Sequence, residues 1–391
     1  MKFCMVAYTF YEGDNRVRRY AESLVKRGDE VDVIVLRQND SDSFARVSGV
    51  NVYKIQKRDL NEKRKVDYLL KLVAFLWRSA VTLTKLHLSK RYNLIHIHSV
   101  PDFEVFAALI PKLMGARVIL DIHDIVPELF ASKFKVGHSS PLFYLLVLIE
   151  RLSMAFADHV IVANHLWYGR LISRSVPSCK CTVVMNYPDQ SLFVPTEKRT
   201  CNPKGKVPFR LIYPGTLSLH QGLETAIKAV DLLRNQIPGL ELHIYGKGTD
   251  ESYFLQLVKL LDLQQRVLFN GIVPIERLGQ VIGEADIGIE PKQKRGFGNE
   301  AFSTKILEFM LMRVPVIASD TLVHKHYFTD RLVKFFKSED HHDLARCIVE
   351  LMENRNMRND LVDNSSLFMK ENNWEVRKHI YHGLVDSLVK R

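Results

Sequence analysis

The chain has 391 residues, 47% of them apolar and 25% charged, with 55 Lys and Arg against 44 Asp and Glu for a formal charge of +11. That length allows two domains and that apolar content gives each a core, which excludes a disordered, collagen-like or repeat protein. The surplus points to an anionic partner and is uneven: residues 1–190 hold 27 basic and 19 acidic side chains, residues 191–391 hold 28 and 25.

No segment supplies the about 20 consecutive apolar residues of a membrane-spanning helix. The longest uncharged apolar stretch, around Pro141 to Ile149, is closed by Glu150 and Arg151 and reads as a buried or interfacial helix. The opening run "MKFCMVAYTF" is too short for a secretion signal and lacks a cleavage site before Glu12 and Asp14. Five scattered cysteines (Cys4, Cys179, Cys181, Cys201, Cys347) make no disulfide framework. A reducing cytoplasm is the expected compartment. Cys179 and Cys181 are the only close pair, with no further ligands at metal spacing.

In chain order, "KFCMVAY", "VDVIVL", "LIHIH", "RVILDI", "HVIVA" and "CTVVM" are β-branched runs separated by longer helix-period segments. They are apolar on both faces, as in parallel strands covered by helices on both sides. Asp14, Asn15 and Arg16 fall in the loop after the first strand, ahead of an amphipathic helix, where Asp14 or Asn15 is also a good helix cap. Residues 62–91 carry eight basic and two acidic side chains. Within them Arg64, Lys71, Arg78 and Lys85 recur every seven residues and line one helix face, while Leu70, Val73, Phe75, Leu76, Trp77, Val81 and Leu83 fill much of the rest. Two readings stay open for this segment: a helix lying on an anionic membrane, or a surface helix with a solvated charged stripe. His96 and His98 alternate on one strand face and read as structural. His123 follows "RVILDI" directly, at the carboxyl end of a strand, where doubly wound sheets bind ligands, although Asp121 and Asp124 beside it could simply hold it in a turn.

Prolines, Gly205 and a cluster of basic residues interrupt the periodicity over 191–209 and mark a linker. The alternation then resumes with "FRLIYPG", "ELHIYG", "RVLFNG", "DIGIEP" and "PVIAS". The sequence therefore predicts an α/β protein of two Rossmann-like doubly wound domains facing a cleft: residues 1–190, a linker over 191–209, residues 210–372, and a C-terminal helix over 373–391 packing back toward the first domain. In the segment 292–320, a loop containing Gly296 and Gly298 leads to Ser303, a good N-cap, then to a helix ending before Pro315. Free amides at Thr304 and Lys305 make its start an anion site. Glu300 and Glu308 bracket that site, and ionised carboxylates suit vicinal diols of ribose or a sugar ring.

Glu300 and Glu308, at the spacing Glu-x7-Glu, with Ser303 and Lys305 between them and "PVIAS" after, resemble the signature of the retaining glycosyltransferases of family 4, of the bacterial cell-surface polysaccharide and lipopolysaccharide type, which have the GT-B fold. The resemblance runs from near residue 1 to about 390. It takes in "IYPGTLSLHQGLETAIKAV", the glycine turn with Gly215 and Gly222, "LHIYGKG", "VLFNGIV" with Gly271, and the N-terminal segments "NLIHIHSVPDF", "VILDIHDIVPELF" and "TVVMNYPD". It implies transfer of a sugar from a nucleotide-diphosphate donor to a lipid-linked or polysaccharide acceptor, by an enzyme that needs no cofactor and no metal. In that reading His123 and Glu300 are catalytic and contact the donor sugar, and Glu308 holds the ribose. Gly215, Thr216, Gln221, Lys247, Gly271, Ser303, Thr304 and Lys305 join Glu308 in binding the donor, while Asp14, Asn15 and Arg16 belong to the acceptor side. Arg64, Lys71, Arg78 and Lys85 would face an anionic membrane, making the enzyme cytoplasmic and peripheral on the inner face of the plasma membrane. Nucleic acid is not an expected partner, since aromatic-interleaved basic runs are lacking.

One departure stands out. The family usually has Arg after the first glycine of the turn and Lys before the second, where this chain has Thr216 and Gln221. Lys305, Lys247, the Lys292, Lys294 and Arg295 cluster, or a protonated His220 are the candidates to replace those charges. A non-catalytic nucleotide-sugar-binding subunit is the alternative that this departure leaves open.

Overall fold

The computed structural model describes residues 1–38, 42–58, 65–134, 137, 139–195 and 208–390. Two compact units result: Met1–Asn186 with Lys378–Arg391, and Tyr187–Arg377.

The first unit holds strands β1 (Lys2–Ala7), β2 (Glu30–Arg37), β3 (Phe44–Val47), β4 (Val50–Lys57), β5 (Leu94–His98), β6 (Arg117–Ile122), β7 (His159–Val162) and β8 (Cys181–Val183). They form one sheet in the order β3-β4-β2-β1-β5-β6-β7-β8. Every pair is parallel except the β3–β4 hairpin. Helices α1 (Asn15–Lys26), α2 (Lys65–Lys90), α3 (Leu109–Leu113), α4 (Val126–Phe134), α5 (Pro141–Phe156) and α6 (His165–Arg174) make the connections. Strands β5 and β7 are buried along their whole length, His96 and His98 of β5 included, as expected of central parallel strands covered on both faces.

Local signals set the helix ends. Asp14 caps α1 by accepting from the amides of Arg16 and Val17 at 3.1 Å. Ser140 caps α5 ahead of Pro141, and Asn164 caps α6. Helix α2 buries Leu72, Phe75, Ser79, Leu83 and His87, spaced by three or four residues, and leaves its opposite side in solvent. That side carries Leu70, Val73, Trp77 and Val81, with Trp77 73% exposed.

The second unit holds β9 (Phe209–Pro214), β10 (Leu240–Tyr245), β11 (Val267–Phe269), β12 (Ile287–Glu290), β13 (Val316–Ser319) and β14 (Lys334–Phe336), all parallel, in the order β11-β10-β9-β12-β13-β14. This is the Rossmann order, and the chain reverses direction across the sheet between β9 and β12, where such sheets bind ligands beyond the strand ends. Helices α7 (Leu223–Leu233), α8 (Glu251–Leu260), α9 (Ile275–Gly283), α10 (Thr304–Leu311), α11 (Leu322–Tyr327), α12 (His341–Glu353) and α13 (Arg355–Glu371) complete it. Tyr213, Ile227, Val230, Leu242, Ile244, Phe254, Ile289 and Ile348 lie in one continuous core.

Residues 191–195, expected in the linker, belong to the second unit: Phe193 is buried, and Gly279 packs so tightly on the Leu192 carbonyl that a Cβ there would lie 2.6 Å from it. The middle of the expected linker, 196–207, lies outside the described residues. The last helix, α14 (Trp374–Val389), starts in the second unit, and from Lys378 onward it is part of the first. There Tyr381 is fully buried, its ring 4.2 Å from that of Tyr20 and its hydroxyl 3.0 Å from His96 Nδ1.

Candidate functional site

Each unit gathers candidate residues at the carboxyl ends of its own strands. In the first unit the centre is Asp121, the fifth residue of β6, with no exposed surface. Arg16 grips it through Nε at 2.8 Å and Nη2 at 2.7 Å and also donates to the Val184 carbonyl at 3.0 Å. His123 Nε2 lies 3.2 Å from the same carboxylate and 3.1 Å from His98 Nδ1, while its ring stays partly exposed. His98 Nδ1 is 3.3 Å from Asp121, and His96 stacks on His98 with ring centroids 4.1 Å apart. Burial alone would raise the Asp121 carboxyl, but Arg16 and then His123 hold it well below the usual carboxylate range. Burial pushes His96 and His98 down, so both are neutral imidazoles at neutral pH.

His96, His98 and Asp121 bring their ligand atoms within 4.8 Å of one another. Arg16 already places a positive charge on both carboxylate oxygens, so a dication there would meet a buried guanidinium at hydrogen-bond range. The donor set does not fit a metal.

Two placements correct the sequence reading. Asn15 and Arg16 are the first residues of α1 rather than loop residues, and Asp14 is spent as its cap. Arg16 is a buried residue that anchors Asp121 and is turned away from solvent. Asp121, which the sequence reading treats only as a possible turn partner of His123, is instead a buried strand residue. Its signal was a lone acid inside the apolar strand "RVILDI".

In the second unit the loops after β9 and β12 meet at the switch point. Gly222 has φ +73°, and a Cβ there would sit 1.9 Å from the Pro291 carbonyl oxygen, so backbone rests on backbone. Gln293 N donates to the His220 carbonyl at 3.2 Å, tying the same two loops. Lys305, the second residue of α10, reaches back to this junction. Its ammonium is 2.8 Å from Glu290 Oε2, 3.5 Å from Gln221 Oε1 and 4.6 Å from the centroid of the Tyr213 ring. A side chain at Gly215 would place its Cβ 2.9 Å from the same ammonium. Burial opposes the charge on Lys305, but Glu290 and Tyr213 outweigh it and its pKa is raised. Burial likewise acts against ionised Glu290, which Lys305 and Lys292 keep low.

Among the candidate cations to replace the family's Arg and Lys, the structure separates one. Lys294 pairs with Asp320 at 3.0 Å, Arg295 with Glu339 at 3.0 Å, and Lys292 Nζ donates to the Ala301 carbonyl at 2.7 Å. Lys247 is exposed, and its backbone carbonyl accepts from Leu217 N beside the turn. His220 has its pKa lowered by burial and then by Lys292 and Lys305, so it is no cation at neutral pH. Lys305, itself paired with Glu290 at 2.8 Å, places its ammonium beside Gly215 and Gln221.

Ser303 is the buried N-cap of α10 by backbone geometry, yet its hydroxyl makes no capping bond. The first amides of α10, at Thr304 and Lys305, therefore keep their capacity for an anion. Glu308 lies one turn further on. Burial pushes its carboxyl up to about 7, with Lys305 acting in the opposite direction. Glu300 closes the turn Gly296–Asn299 before this helix. Gly271, at φ +72°, follows β11 and accepts from Gly246 N at 2.8 Å, next to the glycine turn. Glu290 was missed in the sequence. Its signal was again a single acid at the end of an otherwise apolar strand, "DIGIEP".

On α2, Arg64 lies outside the described residues, Lys71 is half-buried, and Arg78 and Lys85 are exposed. Arg78 and Lys85 thus stand in solvent beside the exposed Leu70, Val73, Trp77 and Val81.

Two family models match the chain: "Glycosyl transferase 4-like domain" over residues 13–187 and "Glycosyl transferases group 1" over residues 196–367. The amylovoran biosynthesis glycosyltransferase AmsK of Erwinia amylovora is 26% identical over 160 residues, 40% of this chain and 38% of that protein. The matched stretches of the curated relatives span only about a third to a half of their length. Among solved structures, sucrose-phosphate synthase from Thermosynechococcus elongatus aligns over 99% of both chains with a TM-score of 0.80 at 18% identity. Anabaena Alr3699/HepE in complex with UDP-glucose aligns over 99% of this chain and 100% of its own, with a TM-score of 0.70 at 15% identity. With one model on each unit and the fold matched from end to end, the chain belongs to the glycosyltransferases of the GT-B fold, of the group 1 and 4-like type.

Proposed function

We propose that this protein is a retaining glycosyltransferase that moves a sugar from a nucleotide-diphosphate donor to a lipid-linked or polysaccharide acceptor in cell-surface glycan synthesis. The observation that carries the reading is Lys305. It stands at the N-terminus of α10, at the switch point, and supplies the glycine turn with the positive charge that Thr216 and Gln221 do not. Its ammonium and the free amides of Thr304 and Lys305 would neutralise the diphosphate as it leaves, and such fixed donors act most strongly where water is excluded. Glu308 accepts from the ribose hydroxyls, and Glu300 holds hydroxyls of the donor sugar. His123, steadied by Asp121, acts as the active-site histidine. The reaction needs no metal, because the cation and the amides carry the charge of the leaving group.

UDP-glucose bound to the Anabaena protein supports a nucleotide sugar as donor, and the name of the Erwinia relative supports a polysaccharide pathway. The same reading places the protein in the cytoplasm, peripheral on the inner face of the plasma membrane. Support comes from α2, where Leu70, Val73, Trp77 and Val81 are exposed beside Arg78 and Lys85. Leu109, Ile110 and Leu113 of α3, which packs on α2, are exposed as well. No helix among the described residues is long and apolar enough to cross a membrane.

The test is a thermal-shift screen of nucleotide sugars, since a bound ligand raises apparent stability, followed by transfer of the stabilising donor's sugar to a membrane extract. A product that keeps the donor's anomeric configuration supports the retaining reading. Stabilisation by nucleotide without hydrolysis or transfer would overturn it.

A further inference from the structure

A cavity of about 540 Å³ lies in the first unit at the amino ends of β5, β6 and β7, whereas Asp121 and His123 stand at the carboxyl end of β6. Arg91 and Asn93, which lead into β5, line one side of it, and Lys112 and Arg117, on either side of the turn into β6, line another. Asp158, just ahead of β7, and Leu388 and Val389, at the end of α14, complete the lining.

The charge of this lining is unbalanced, with three cations, Arg91, Lys112 and Arg117, against one carboxylate. That carboxylate is already committed: Asp158 accepts from Val118 N at 2.7 Å and lies 2.8 Å from Lys112 Nζ and 3.6 Å from Arg117 Nη1. Arg91 pairs with no acidic side chain among the described residues. It stands at φ +57° directly after α2, a backbone conformation that suits glycine better than arginine. His87 adds a donor. Its ring is 2% exposed and lines the same cavity, and its Nδ1 accepts from Tyr92 N at 3.2 Å. A backbone N–H can only donate, so Nδ1 holds the lone pair and the hydrogen of the neutral ring sits on Nε2. That Nε2 is shielded from water and meets no acceptor among the described residues. A shielded donor without a partner is costly, and beside surplus cations the group that completes it is an anion.

We propose that this cavity binds the phosphate group of a water-soluble anion, a phosphate monoester or a diphosphate. Arg91 and Arg117 offer guanidinium forks to the phosphate oxygens, Lys112 a point charge and His87 Nε2 a neutral hydrogen bond. Met114, Leu388 and Val389 give the organic part of an ester an apolar wall. The six residues of β6, about 20 Å of strand, separate Arg117 from His123, so the ligand is an effector and not a substrate. Its effect runs through α14. Leu388 and Val389 touch the cavity, and Tyr381 of the same helix meets His96, which stacks on His98 beside His123. A bound anion fastens the end of that helix to the sheet.

The probes are inorganic diphosphate and ribose 5-phosphate, titrated by calorimetry into the full-length protein at constant ionic strength, and the tighter of the two tells a free diphosphate from an ester. Saturable binding is expected, with a loss of about tenfold or more in Arg91→Gln and in Arg117→Gln, since each removes charge-assisted hydrogen bonds. Arg91 is exposed, so its substitution leaves the fold intact, and a circular dichroism melt checks both variants. Lys305→Gln should bind as the parent does, and amide hydrogen exchange over residues 381–389 should slow when the probe is bound. No binding of either probe, or binding that survives both arginine substitutions, would overturn the proposal. Binding lost in Lys305→Gln but kept in Arg91→Gln would overturn it too, because the probe would then sit at the glycine turn. So would Arg91-dependent binding to phosphatidylglycerol vesicles with neither soluble probe bound, and unchanged exchange in α14 would remove the effector role.

Discussion

Arg16 and Asp121, 105 residues apart in the chain, are joined by two hydrogen bonds in the interior of the first unit, and the same carboxylate holds His123. The pair is therefore both a tie between α1 and β6 and the seat of the candidate histidine.

Replacing Asp121 by Asn leaves the Arg16 charge buried without its partner, a defect that costs about 3–5 kcal/mol. Thermal unfolding should show a fall of many degrees, while Arg16→Lys, which keeps the charge but loses the fork, should fall less. His123→Ala should unfold close to the parent, because the ring is partly exposed, and should lose transfer. Full activity in that variant would remove His123 from the site.

Glu308 makes opposite predictions for binding and for stability. Its carboxyl is raised by burial to about 7, so the folded protein resists its ionisation. The unfavourable contribution is absent below the ordinary glutamate range, grows as pH rises, and is complete above about 7. Glu308→Gln should accordingly melt higher than the parent at pH about 8 and match it at pH about 4. Nucleotide affinity by calorimetry should drop in the same variant. Unchanged affinity would discard the ribose assignment.

Gly215→Ala tests the seat of Lys305. The new methyl would lie 2.9 Å from the ammonium, which must swing aside. Because the obstructed atom is the tip of a flexible side chain, the fold should survive. Nucleotide binding should weaken by about tenfold, the worth of one charge-assisted hydrogen bond.

A second pH effect belongs to the 3-10 turn Asp102–Ala108. Burial raises Asp102 to about 7 and Glu104 to about 8, where Glu104 accepts a hydrogen bond from Ser79 of α2. Carboxyls raised in the folded state favour it fully at pH below the unfolded range, and that contribution is lost as pH climbs through the raised values. Stability in denaturant should thus decline between about pH 5 and 8, and Glu104→Gln should flatten the decline.

The fold could be read from the sequence because fully buried parallel strands leave continuous apolar runs, and the Gly and Pro breaks fall between them. The second unit's switch-point residues were legible for the same reason: they follow directly on strand ends. What periodicity could not give was the partner of each buried charge. Asp121 and Glu290 meet Arg16 and Lys305 only through tertiary contacts, and no local rule links residues that far apart. Helix α2 shows the same limit from outside. A seven-residue repeat fixed which residues share a face, but not that Leu72, Phe75 and Leu83 would be the ones buried while Leu70, Val73 and Trp77 stay in solvent.

Both sheets end in brief strands: β3 has four residues, and β8, β11 and β14 have three each. A terminal strand of that length offers few unpaired backbone groups to a neighbouring molecule. Brevity at four margins thus guards this protein against fibrous self-association through its sheet edges.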